Sequence, residues 1–158
     1  MWAEATDHAR RFGGVDRLYG TGALERLAQA HVCVIGLGGV GSWLVEALAR
    51  CGIGQLTLID MDHIAESNIN RQIQALEGTL GMAKGEALRQ RIGQINPGCQ
   101  VRLVDDFIDE QNIARLLPSC DAVCDAIDNV RAKAALLAHC RRERQFVVTT
   151  GGAGGRLD

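Results

Sequence analysis

One glycine-rich turn and five polar side chains carry the chemistry legible in this sequence. Gly36-Leu37-Gly38-Gly39-Val40-Gly41 fits G-x-G-x-x-G. In such a turn Gly36 makes the tight bend, Gly38 lets the backbone approach a phosphate, and Gly41 lets a helix pack on a strand. The turn follows the apolar run V-C-V-I and opens a helix, whose free N–H groups and positive dipole end favour an anion. The competing reading is a glycine turn with no ligand. Asp60 lies nineteen residues after Gly41, at the end of the next apolar run. A carboxylate there accepts from ribose hydroxyls, of ATP as readily as of NAD; otherwise it caps its own loop.

Four further residues separate ATP from NAD. A redox domain needs little polar chemistry after its second strand, yet residues 60–72 here are rich in it and present Asn68 and Arg71. Arg71 offers a fork of donors that suits phosphate; the alternative is a solvated surface arginine. Lys84 precedes Leu88, Ile92 and Ile95 on one helical stripe, so it begins a buried face and points along a sheet edge, unless it snorkels. Asp128 follows the fourth predicted strand, D-A-V-C-D-A-I. With strand order 3-2-1-4-5 it faces the phosphates across the topological switch point, where a carboxylate makes sense if Mg²⁺ bridges them. Its alternative is an N-cap for the next helix. Asp125 falls on the strand and is buried or misplaced as a ligand. Together these residues suit phosphoryl or adenylyl transfer on ATP with Mg²⁺.

The elements that must position them alternate regularly. Strands are predicted at residues 31–35, 55–59, 100–104, 121–127 and 146–149, and helices at 22–29, 42–50, 82–95, 109–117 and 130–144. The segment 60–70 is a long loop. This alternation specifies an α/β fold, a Rossmann-like parallel sheet with helices on both faces. Residues 1–158 read as one ATP-binding domain, and a stop just after T-T-G-G-A-G-G at 149–155 marks it as the N-terminal portion of a longer one.

Bulk composition sets the limits. The chain is 47% hydrophobic with only 4% aromatic residues, so its core is aliphatic. A net charge of −2 excludes a strongly basic footprint that holds nucleic acid unaided. The N-terminus has no signal-peptide pattern, and the longest uncharged stretch, 27–45, reads as strand, turn and helix, so no membrane role is expected. Six cysteines without a C-x-x-C pair argue against a zinc ribbon and for buried free thiols in a reducing cytoplasm. Trp43 and Cys33 are expected in core or dimer-face packing. Arg141, Arg142 and Arg144 read as a solvated helix end.

The ordered motifs resemble the ThiF/MoeB/HesA group of adenylyltransferases, bacterial relatives of ubiquitin-activating enzymes. The matching pieces are G-L-G-G-V-G at 36–41, L-I-D-M-D at 58–62, S-N-I-N-R-Q at 67–72, G-M-A-K at 81–84, I-N-P at 95–97 and D-A-I-D-N at 125–129. The resemblance implies that Gly36, Gly38, Gly39, Gly41 and Asp60 bind ATP. It implies that Asn68, Arg71 and Lys84 contact the phosphates and Asp128 serves Mg²⁺, with Arg71, Lys84 and Asp128 as the catalytic set. The chemistry implied is AMP transfer to a carboxylate with release of pyrophosphate.

Further pieces, R-F-G-G-V-D-R-L-Y-G at 11–20, D-D-F at 105–107, R-A-K-A-A-L at 131–136, C-R-R at 140–142 and the 149–155 run, look like one branch of the group. That branch adenylates the carboxylate of threonylcarbamoyladenosine at tRNA position 37, and the base then cyclises with loss of AMP. The implied setting is a cytoplasmic homodimer with modified tRNA as partner. Alternatives are adenylation of the C-terminal glycine of a ubiquitin-like sulfur carrier, an NAD-binding redox domain, or a non-catalytic nucleotide-binding module. One departure stands out. Sulfur-carrier activators place an arginine, which reaches a neighbouring subunit, where this chain has Gly14; either Arg11 or Arg17 replaces it or the contact is absent. Members of the group also run about a hundred residues further, so this piece could hold ATP and lack activity.

Overall fold

A computed structural model describes residues 7–151. Two short helices, α1 (His8–Phe12) and α2 (Gly14–Tyr19), which the sequence pattern did not disclose, precede α3 (Ala23–Gln29). The sheet then forms from β1 (His31–Ile35), β2 (Gln55–Ile59), β3 (Gln100–Val104), β4 (Ala122–Asp125) and β5 (Val147–Thr149). All pairings are parallel and the order is β3-β2-β1-β4-β5, as expected. The chain leaves β1 toward β2 on one side and later returns to place β4 on the other. The crevice above the carboxyl ends of β1 and β4 is therefore the switch point where such folds bind ligands.

Alternation along β1 feeds two cores. Val32 and Val34 face α4 (Gly41–Arg50) and α5 (Lys84–Ile95), meeting Val45, Ala49, Leu88 and Ile92. Cys33 and Ile35 face α6 (Ile113–Leu116) and α7 (Val130–Arg142), meeting Leu116, Leu136 and Cys140. The successive side chains of a strand point to opposite faces, so a strand apolar at every position is a strand covered on both sides.

Local polar chemistry trims several predicted elements. Helix α5 starts at Lys84 because Met82 and Ala83 are spent elsewhere: the Met82 carbonyl accepts from Ile64 N, and Ala83 bridges His63. Helix α6 covers four residues only. Asp109 Oδ1 accepts from the N–H groups of Gln111 and Asn112, and Asn112 Oδ1 accepts from Asp109 N, so side chains replace a helical turn. Helix α7 ends at Arg142, and Arg144 has φ of 55°. Between β2 and α5 the loop contains two 3₁₀ turns, Glu66–Asn68 and Glu77–Thr79. The I-N-P motif ends α5 with a buried Asn96, whose Nδ2 donates to Ile53 O at 2.9 Å and fixes the α4–β2 turn. All six cysteines are free thiols. No helix among the described residues is long and apolar enough to cross a membrane. The glycine run at 152–155 lies outside the described residues.

Candidate nucleotide site

A cleft of about 1380 Å³ opens at the switch point. It is lined by Gly36, Gly38, Gly39, Asp60, Asn68, Arg71, Lys84 and Asp128, so residues scattered over ninety positions converge on one place. Gly41 begins α4 beneath it. The glycine loop is shaped by contact, not only by flexibility. Gly36 has φ of 86°, and a Cβ there would lie 2.7 Å from Ala126 O on the adjoining strand exit. A Cβ on Gly41 would lie 1.7 Å from Gly36 O. At Gly38 nothing lies within 4 Å of a Cβ, so its bare backbone faces open space, as needed for close approach of a ligand.

The Leu37 peptide inside this loop is held on both sides. Asp60 Oδ2 accepts from Leu37 N at 2.7 Å, and Gln74 Nε2 donates to Leu37 O at 2.9 Å. Asp60 also accepts from Asp62 N through Oδ1. Thus Asp60 caps its own loop, the second of its two readings, and also holds the glycine loop while lining the cleft. Gln74, 2% exposed, was not foreseen; its Oε1 has no hydrogen-bond partner among the described residues. The Q-x-Q spacing of Gln72 and Gln74 after Arg71 is the only sequence signal that could have pointed to it.

Asn68 is buried, and its Oδ1 accepts from Ala65 N to close the first 3₁₀ turn. Arg71 lays its stem across Gly39, with Cγ and Cδ 3.3 Å from where a Cβ would stand. Its Nη1 donates to Ser67 O at 2.6 Å and to Asn70 Oδ1 at 3.0 Å. Arg71 is therefore anchored beside the glycine loop rather than waving in solvent. Its carbonyl accepts from Trp43 Nε1, which places Trp43 on the surface at 54% exposure and not in the core. Cys33 is fully buried, as expected.

Lys84 does not snorkel. Its side chain is 7% exposed and Nζ lies 2.7 Å from Asp62 Oδ2, while its own N–H donates to Asp62 O. Asp62, unassigned from sequence, is the residue that orients it. Asp128 is exposed and is not the cap of α7: Asn129 Oδ1 accepts from Arg131 N and Ala132 N instead. Asp128 makes no hydrogen bond among the described residues. Asp125 is buried as expected, held by Lys133 Nζ and Thr149 Oγ1, each at 2.6 Å. This clamp joins the ends of β4 and β5 and fixes the strand exit that carries Asp128. Lys133 is a second feature missed from sequence.

The residues present fit a magnesium ion shared with phosphates. Mg²⁺ is usually held by one or two carboxylates together with substrate phosphates, not by a full protein cage. Asp128 supplies such a carboxylate, and no group of three metal-ligating side chains exists among the described residues. Five of the six thiols are not primed for attack: burial raises Cys33, Cys120, Cys124 and Cys140 above the ordinary value and pushes Cys99 up to about 11, opposite to an activated nucleophile. Arg11 is committed to its own chain, donating to Ile95 O at 2.7 Å, and Arg17 on α2 is exposed.

Comparison with known proteins agrees with this geometry. The model of the ThiF family matches residues 11–156. The tRNA threonylcarbamoyladenosine dehydratase of Haemophilus influenzae is 55% identical over the full chain, which spans 61% of that protein. The crystal structure of E. coli tRNA N6-threonylcarbamoyladenosine dehydratase in complex with ATP superposes with a TM-score of 0.92 at 55% identity, covering 98% of this chain and 64% of that one. The molybdopterin-synthase adenylyltransferase of E. coli is 36% identical over 134 residues, 85% of this chain and 53% of that protein. The chain thus spans about three-fifths of these two dehydratases, and with its parallel Rossmann-like sheet and switch-point cleft it belongs to the ThiF family.

Proposed function

We propose that this chain is the ATP-binding part of an enzyme that adenylates a carboxylate, that of threonylcarbamoyladenosine at tRNA position 37. The observation that carries the chemistry is an unpaired carboxylate, Asp128, sharing one cleft with a buried lysine and an anchored arginine above a glycine loop. The choice of tRNA over a sulfur-carrier protein rests on identity: 55% to the dehydratase against 36% to the molybdopterin-synthase adenylyltransferase.

In this reading the backbone of residues 36–41 and the N-terminus of α4 cradle the triphosphate. Asp60 lies at the ribose while bracing Leu37. Asn68, Arg71 and Lys84 contact the phosphates. A carboxylate attacking the α-phosphate is an anion approaching an anion, and Arg71 and Lys84 offset that repulsion most where charge accumulates. Lys84 is already immobilised by Asp62, so little reorganisation is needed when ATP binds. Asp128 would hold Mg²⁺, which when bound neutralises phosphate charge and helps pyrophosphate leave. AMP on the carboxylate turns a poor leaving group into a good one for the cyclisation that follows. Val40, Trp43, Ile69 and Leu76 are exposed apolar side chains, the kind of surface that the homodimer of this reading would cover.

The test is pyrophosphate release by the intact protein with ATP and Mg²⁺. Threonylcarbamoylated tRNA should support it, and unmodified tRNA or a ubiquitin-like sulfur carrier should not. Release with the carrier alone would replace the substrate; binding of NAD in place of ATP would overturn the chemistry.

A further inference from the structure

A second cleft, of about 570 Å³, lies at the opposite end of the sheet and has no part in the chemistry above. In a parallel α/β fold the helices run against the strands, so the carboxyl ends of α4 and α5 come to the edge remote from the nucleotide. There Arg50 ends α4, Arg91 lies in the last half of α5, and Arg11 reaches over from α1. The three guanidiniums converge with Phe12, Gln94 and Ile95 as the rest of the lining.

These arginines are not loose surface charges. Glu46, buried beneath them with a side chain 7% exposed, accepts from Arg50 Nε at 2.8 Å and Arg50 Nη2 at 2.7 Å. It also accepts from Arg91 Nε, and from Arg91 Nη2 at 3.1 Å. Burial pushes the Glu46 carboxyl up, but the bonds from Arg91 and Arg50 outweigh it and hold it below the ordinary range, so it stays ionised. Arg11 is pinned separately on Ile95 O, at the carboxyl end of α5. Three cations against one carboxylate leave a local excess of two positive charges on a chain whose net charge is −2. A pinned guanidinium has lost its rotamer freedom before a ligand arrives and retains N–H donors on its outer edge, which suits phosphate oxygens.

We propose that this arginine cleft binds the sugar-phosphate backbone of the tRNA, away from the base that is modified. The inference rests on the tRNA reading above. It explains how a chain with no overall basic character can engage a polyanion: the charge is local and pre-positioned. Such a contact reads phosphate and not sequence, so modified and unmodified tRNA are held alike by it.

The experiment uses the intact protein and the double variant Arg11→Gln/Arg50→Gln. This pair removes the excess charge and leaves the Glu46–Arg91 pair whole. Binding of tRNA is measured over a range of salt, alongside ATP binding and pyrophosphate release. The expected result is ATP binding unchanged, tRNA binding weaker by on the order of tenfold, and a slope of log affinity against log salt smaller by about one to two. KM for tRNA should rise with kcat nearly unchanged. Arg11→Glu, which touches no partner of Glu46, should show the same pattern if the double variant unfolds, and Arg11→Lys should restore binding. Wild-type affinity and salt slope in these variants would overturn the inference while leaving the substrate reading intact. Protection of the cleft by inorganic phosphate without any response to tRNA would also overturn it. Wild-type protein that fails to release pyrophosphate with threonylcarbamoylated tRNA would instead refute the substrate reading.

Discussion

Replacing Lys84 by Met separates chemistry from stability at this site. The Met side chain keeps most of the lysine stem, so the packing of the first turn of α5 against the loop survives. The partner left behind, Asp62, has a side chain 65% exposed and is rehydrated by bulk water. The lost ion pair is therefore worth no more than an exposed one, about 0–1 kcal/mol. The catalytic loss is of another order. Removing one positioned donor that faces developing charge costs about 10²–10³ in rate, roughly 3–4 kcal/mol. Lys84→Met should thus melt within a few degrees of wild type and release pyrophosphate about a hundredfold or more slowly. The reverse change, Asp62→Asn, inverts the balance. It leaves a buried ammonium without its carboxylate, at a cost of about 1–3 kcal/mol in stability, and loosens the lysine without removing its charge. Thermal unfolding and pyrophosphate release by the intact protein read both effects. Lys84→Met turning over within about threefold of wild type would refute the role given to the lysine. A melting loss larger than that of Asp62→Asn would refute the solvation argument.

Five other outcomes follow from the same geometry. Asp128→Asn should leave stability within about 0.5 kcal/mol of wild type, because Asn129 is the cap, yet it should raise the Mg²⁺ needed for half-maximal rate; Asn129→Ala should cost about 1 kcal/mol and leave that Mg²⁺ requirement alone. Gly38→Ala should fold normally and bind ATP poorly, whereas Gly41→Ala should fail to fold, since its Cβ would lie 1.7 Å from Gly36 O; soluble expression and nucleotide titration distinguish them. Gln74→Leu should release the Leu37 carbonyl and weaken ATP binding several-fold, and a variant with unaltered affinity would show that Asp60 alone holds the loop. Acid unfolding should respond to Glu46. Its folded value is depressed, so its contribution is complete above the ordinary carboxylate range near 4.3 and is lost as pH falls through the folded value; Glu46→Gln should flatten the unfolding curve in that acid region. The thiols act at the other end. Cys99 is raised from 9.0 to about 11, so the stability it confers is full below 9.0 and disappears as pH rises toward 11.

The strands and the glycine loop were legible because apolar runs and turn residues are local signals. What the sequence hid was pairing between distant positions. Nothing near Lys84 announces Asp62, twenty-two residues earlier, because a long loop carries the acid back to the first turn of α5. Lys133 carries no local signal of its role, yet it neutralises Asp125 and ties β4 to β5. The sequence offers Asp128 as a cap for the next helix, yet its neighbour Asn129 is the residue that takes the cap. Only the backbone turn decided between them, since a cap needs its oxygen over the next N–H groups and Asn129 has that position. The short helix α6 was overextended for a related reason: Asp109 and Asn112 favour their own turn over a helical one, a competition that apolar spacing does not show.

The same pairings explain why the cleft is poised. Buried charged and amide side chains away from it are paired off: Asp125 on Lys133, Glu46 on two arginines, Asn96 on Ile53. Around the cleft the bonds serve position instead. Asp60 and Gln74 fix one peptide, Asp62 fixes Lys84, and Asn129 takes the cap that would have engaged Asp128. An acid that neither caps nor pairs repels a bare triphosphate, and a triphosphate carrying a divalent cation relieves that repulsion. ATP affinity measured with and without Mg²⁺ should therefore differ more in the wild type than in Asp128→Asn, with the variant gaining affinity for free ATP. Equal dependence in the two proteins would show that Asp128 is a spectator and that the metal, if used, is held by the phosphates alone.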